Sequence, residues 1–417
     1  MFDVQPSYNL PTTLFNVLFP IISIVLCAGL FFVLPKKTAK TVKITKLVLG
    51  FLLIGLYLAK TSFLIYRYTS LLGKFDLTYV DKMFGLDLNF YFTFMAAFYL
   101  IFSAFSNKKN IFLDILKNTI VSISFAYCAL ALFNPKMVFT LANYAYGWYH
   151  FPNILAMVIN LILLVTALYL IKANDVQISL KNFWQGLAGY IMALSLCMTL
   201  AIVLNVNISE LSYSNTLYDV IKTRINFPWF LLIVIPVFLL ISFGIYCLIR
   251  LIVCKISHTS FIEKPTLEKK NEFFDIYTFA TKTVCCMQGI LLLIIIATLA
   301  KKPQGNVWGL TCLIPFIMTI FCILAVNEMQ KYITSNDESI FEDGNKNAKK
   351  ILTYTFLGNF IFGFAFKAQL KNERENLIEY KKRMERKRQR ELEAKEEEII
   401  EENDSNDQIE EENKENK

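Results

Sequence analysis

Long apolar runs separated by short, lysine-rich polar stretches dominate the chain. A helix needs about 20 largely apolar residues to cross hydrocarbon. Nine runs meet or approach that length: Leu14–Leu34, Leu47–Tyr66, Leu88–Phe105, Phe112–Phe133, Ile154–Ile171, Trp184–Leu204, Trp229–Ile249, Val284–Ala300 and Trp308–Val326. Asn134-Pro135 ends the fourth, and Pro20 and Pro236 interrupt the first and seventh. A tenth run, Ile351–Phe366, is shorter and carries Gly358, Asn359 and Gly363. It reads as a re-entrant or interfacial segment, or a short buried helix, and a ten-span alternative stays open. The pattern therefore predicts an all-α, polytopic transmembrane helical bundle of about nine spans. A charged C-terminal helix and a disordered acidic tail follow it.

Charge sets the orientation. The N-terminus is placed outside, with Met1–Thr13 free of Lys and Arg and leading into an uncleaved first span. The loops then assigned to the cytoplasm hold roughly twenty Lys and Arg, and the outer loops fewer than half that. The C-terminus falls on the cytoplasmic side, in the cell membrane. Its marker is the block Lys381, Lys382, Arg383, Arg386, Lys387, Arg388 and Arg390, which is hard to translocate and suited to contact with anionic lipid.

These breaks divide the chain into a seven-helix membrane domain (14–255) and a cytoplasmic linker (256–283). A membrane hairpin with the short tenth run (284–366) and a charged cytoplasmic tail (367–417) complete it. In the tail Leu370, Leu377 and Met384 recur every seven residues. One apolar stripe among charges makes at most a weak coiled coil and predicts a solvated helix, supported by pairs such as Glu379–Arg383 at i,i+4. From Glu396 onward acidic residues, Asn and Ser predict disorder.

Composition sharpens the class. Mean hydropathy is +0.46, and of 417 residues 55% are hydrophobic against 18% charged, outside the soluble range. The net charge of +8 sits in loops and beside the membrane, without any nucleic-acid-binding motif. The expected partners are therefore the phospholipid bilayer and a membrane-protein or cytoplasmic partner reached through the tail, not nucleic acid. The nine Cys, with no CxxC and no Cys/His cluster, read as small packing residues; no metal and no cofactor is expected.

Chemistry is sparse. There is no phosphate loop, no HExxH, no GxSxG and no pair of carboxylates within the spans, so no catalytic residue is assigned. Isolated polar groups remain as ligand or pathway candidates: Lys60, Asp87, Asn89, His150, Asn153, Asn160 and Asn205. Lys60, near the far end of its run, is read as reaching toward the interface along its aliphatic stem; the alternative is a charge facing a cavity. His150 closes an aromatic stretch, Tyr144 to Phe151, that suits an interfacial belt. Gly186 and Gly189 are placed to let a neighbouring helix approach closely.

From Leu14 to about Lys255 the layout resembles the YwaF-like bacterial integral membrane proteins. The features are a basic first loop, a third span entered through Phe84-Gly-Leu-Asp-Leu-Asn-Phe90, Asn134-Pro135, and the aromatic approach to the fifth span. A sixth span ending at Asn205 and Asn226-Phe-Pro-Trp229 opening the seventh complete it. The resemblance implies a helical membrane bundle. Members of that group often carry His, sometimes Cys, at the head of the third span, where this chain has Asp87 and Asn89. They also tend to have His entering the fifth, where Asn153 stands here with His150 offset. Distant eukaryotic relatives are associated with lipid acyl transfer through such residues, and the differences argue against carrying that activity over. The expected function is thus non-catalytic, binding lipid or a membrane-protein partner. Alternatives are a transporter or channel for a small solute, and a lipid-modifying membrane enzyme.

Overall fold

Helix formation follows the apolar runs, and the polar residues between them supply the caps. The computed structural model describes residues 10–33, 38–76, 83–84, 86, 88–105, 110–133, 151–204, 225, 229, 231–257, 288–296, 310–335 and 344–360. It also describes most of 363–390. The helices are α1 (Leu10–Val33), α2 (Ala39–Leu72), α3 (Leu88–Phe105), α4 (Ile111–Phe133), α5 (Phe151–Lys172), α6 (Leu180–Val203), α7 (Leu231–Ser257), α8 (Leu313–Ser335) and α9 (Lys346–Gly358). A further helical stretch covers 288–296, and no strand occurs among the described residues.

Six of these helices, α2 to α7, are long and apolar enough to cross a membrane. Leu18–Val33 and Leu313–Met329 are shorter apolar helices. The eighth expected run is described only over 288–296, and the linker from residue 258 lies outside the described residues, as does everything from residue 391 on.

The helices run past their apolar cores because capping residues lie in the flanks. The α2 helix starts at a Thr38–Thr41 capping box and stops where Gly73 takes φ +69°, so it extends 34 residues. Asn110 caps α4 through the Phe112 N–H, Ser179 caps α6 through Asn182, and Asn345 caps α9. Each cap satisfies amide donors that no helical carbonyl can reach.

Packing is organised around α4, the most enclosed of the long helices. Its middle, Ile120–Ser124, is a π-turn, which widens the helix where α5, α6 and α7 meet it. On α2 the stripe Leu49, Leu53, Tyr57, Lys60 and Leu64 recurs every three to four residues and is buried against α3 and α5. Its opposite face carries Val48, Phe51 and Leu58, each more than half exposed. Apolar residues outside as well as inside suit a helix in lipid, where every backbone polar group is satisfied within the helix itself.

At the α4–α6 crossing the backbones nearly touch. A methyl added to Gly186 would stand 2.8 Å from the Asn118 carbonyl oxygen, so the close approach expected of this glycine is present. Thr119 Oγ1 donates to the Ile115 carbonyl and stands 3.2 Å from that of Gly186.

The tenth run is a broken helix packed against α8. The helix ends at Gly358, Asn359 is extended (φ −163°, ψ 110°), and helical turns resume beyond it. Phe356 and Phe364 have ring centroids 5.1 Å apart. In a straight helix that separation would be about 12 Å of rise, so the chain bends back at Asn359. Ile351 and Phe366, its two ends, join one apolar cluster with Ile111, Met192 and Met329.

Candidate functional site

Two polar clusters occupy opposite ends of the bundle, about 21 Å apart along α2 by helical rise. The first contains most of the described sequence candidates. Lys60 lies on the buried stripe of α2, Asn89 in the first turn of α3 and Asn153 in the first turn of α5; each is 1% exposed. The Lys60 ammonium is 5.4 Å from the centre of the Tyr57 ring. That ring is fixed by Phe90 and Phe94, both 5.1 Å away, and its hydroxyl donates to the Phe84 carbonyl. On the other side of Lys60, Phe63 meets Phe151 at 5.2 Å.

Lys60 therefore does not reach outward along its stem. The stripe that positions it is set by spacing: residues 53, 57, 60 and 64 share one face, and that face meets α3 and α5. Its side chain is enclosed by protein rather than held at an exposed edge. The side-chain oxygens of Thr61 and Asn89 meet no hydrogen-bond partner among the described residues. Such buried acceptors are open to a donor from a ligand or water. Asn160 is deeper, its amide donating to the Cys128 carbonyl at 3.0 Å and so tying α5 to α4 just past the π-turn. Asp87, His150, Asn205 and Lys381 lie outside the described residues.

The second cluster was not expected from the sequence. Asp175, in the turn after α5, forms an ion pair with Lys46 of α2, the two side chains being 23% and 8% exposed. The Tyr99 hydroxyl of α3 is 3.4 Å from the same carboxylate. From α7, Arg250 donates to the Ile178 carbonyl at 2.6 Å and Tyr246 to that of Ser179 at 2.9 Å. Lys172 donates to the carbonyls of Phe31 and Phe32, which close α1. One short turn thus gathers groups from α2, α3 and α7, with α1 held beside it. The available signal was a single acidic residue in a short loop otherwise assigned to the lysine-rich side.

The basic block is helical and exposed over 382–390, presenting Lys382, Arg383, Arg386, Lys387, Arg388 and Arg390. Arg383 pairs with Glu379 at 2.6 Å, the expected i,i+4 contact. Upstream, Phe366 and Leu370 anchor this segment in the cluster that contains Ile111 and Met329.

None of the seven described cysteines is in a disulfide, and five of them are buried. No group of three or more His, Cys, Asp or Glu that could hold a metal occurs among the described residues. What the first cluster offers chemically is one enclosed cation and several amide oxygens, a set suited to holding a polar group. The chain matches no protein-family model, no curated protein and no solved structure.

Proposed function

We propose that the chain is a non-catalytic, multi-pass protein of the cell membrane that binds lipid, with the N-terminus outside and its C-terminal arm on the cytoplasmic face. The observation that carries this reading is the exposed helix 382–390, whose six cations in nine residues follow a segment anchored in the bundle by Phe366 and Leu370. Cations displayed beside a bilayer are attracted to anionic lipid by about 1 kcal/mol each. The arm is also the surface offered to a protein partner; the lipid contact is the part with a specific test.

The same proposal has nine crossings, with Ile351–Phe366 re-entrant. The bend at Asn359 supports it, because a segment that turns back returns the tail to the side it left. At the opposite end, the buried Asn89 oxygen, which meets no hydrogen-bond partner among the described residues, gives a lipid head group a polar group to engage. The layout shared with YwaF-like proteins over residues 14–255 belongs to this proposal as its membrane scaffold.

The test uses the full chain in nanodiscs. Trypsin should cut between Lys382 and Arg390 at least about tenfold more slowly in discs containing phosphatidylserine than in pure phosphatidylcholine. The protection should vanish at high salt, where charges are screened within about 3 Å. Equal cleavage rates in the two lipids would remove the basis of the proposal.

A further inference from the structure

We infer that the helix break at Asn359 is a binding site for a monovalent alkali cation. This rests on residues outside the lipid-binding reading and stands or falls separately from it. The break lies where α9 crosses α8 at backbone contact. A methyl on Gly358 would stand 2.8 Å from the Cys322 amide nitrogen and 3.1 Å from the Met318 carbonyl oxygen. The C-terminal end of α9, the negative end of its dipole, is therefore held inside protein rather than in water.

The side chains around it are polar and enclosed. Gln288 is 1% exposed, Thr319 1%, Thr355 0% and Asn359 3%. The Gln288 amide nitrogen donates to the Gly358 carbonyl at 2.9 Å, which fixes the amide at the break. Its oxygen, on the same carbon, is buried and meets no donor among the described residues. Thr355 and Thr319 each donate their proton to their own helix, to the Ile351 and Pro315 carbonyls at 2.6 Å. The lone pairs of both hydroxyls remain as acceptors.

The acceptors at the break are thus the open Gln288 amide oxygen, the Gly358 carbonyl that already takes one hydrogen bond from Gln288, and the Thr355 hydroxyl one turn before it, all neutral. Such a set replaces the hydration shell of a weakly hydrated single charge. It suits a divalent ion poorly, since calcium and magnesium sites rely on carboxylates and no described group here is one. Unwound backbone at the end of a half-helix coordinates monovalent cations in membrane proteins for the same reason. In a low-dielectric interior, the bound ion satisfies the Gln288 oxygen that the fold leaves open.

The experiment is thermal unfolding of the purified full-length protein, with Na⁺ and K⁺ each titrated against N-methyl-D-glucamine at constant ionic strength. At least one alkali ion should raise Tm saturably, since a ligand that binds only the folded state stabilises it by mass action. Gln288→Leu should weaken half-saturation about tenfold or more, and Gln288→Glu, which adds a charge, should strengthen it. A wild-type Tm indifferent to the cation overturns the inference, as does a Gln288→Leu protein with unchanged half-saturation. Where Gln288→Leu fails to fold, Gln288→Glu decides, and an unchanged half-saturation there overturns it equally.

Discussion

Replacing Asp175 by alanine is expected to destabilise the folded bundle by about 3–5 kcal/mol, the largest loss of any single change of charge considered. The carboxylate neutralises Lys46, whose side chain is only 8% exposed, so its removal leaves an ammonium enclosed without its ion-pair partner. The loss should read as a Tm lower by about 5–10 °C for the purified full chain, allowing for its size. Lys46→Met in the same protein should restore part of the stability, because no buried charge is then left uncompensated. Tyr99→Phe, which removes only the 3.4 Å contact, should cost about 1 kcal/mol or less. A wild-type Tm in Asp175→Ala would show that the turn holds without the ion pair.

Gly186→Leu is expected to be comparably severe, but by a steric route. The Asn118 carbonyl oxygen, 2.8 Å from where the new β-carbon would be, belongs to backbone and cannot rotate away. The α4–α6 crossing must open, which exposes the Asn118 amide and its 2.5 Å bond to Gln185. Overpacking costs typically about 1–3 kcal/mol, and loss of a buried amide pair adds about 1–3 more. Gly55, with open space around it, provides the control, since Gly55→Leu should leave the stability within about 1 kcal/mol of wild type. Equal Tm values for the two variants would contradict the backbone contact at Gly186.

These two sites show what the chain's pattern made legible. Gly186 and Gly189 in an apolar run are a signal for close helix approach, and the crossing is where they stand. The apolar runs likewise located α2 to α7, with ends displaced outward because caps such as Thr38 and Ser179 lie in polar flanks. Asp175 was not legible. Its role depends on which helix ends converge on a turn, and hydropathy carries no information about lateral neighbours. Lys60 was half legible: a lysine in a span marks itself, but only the three-to-four spacing against α3 and α5 decides that it turns inward. The two glycines and the asparagine of Ile351–Phe366 announced an interrupted helix, and the bend at Asn359 is that interruption. Asn89 and Gln288 are indistinguishable in sequence from other helix-bundle amides; only the structure shows that their oxygens, like those of Asn118 and Asn160, are buried and meet no donor among the described residues.

The central claim is a polytopic bundle whose lysine-rich ends and C-terminal arm share the cytoplasmic face. Cleavage at the basic block tests it most directly, with trypsin applied to intact cells and to sealed inside-out membrane vesicles. The account predicts that the full chain stays uncut between Lys382 and Arg390 in intact cells and is cut in the inverted vesicles. Cleavage in intact cells, with protection in the vesicles, would place the arm outside and contradict nine crossings from an outside N-terminus.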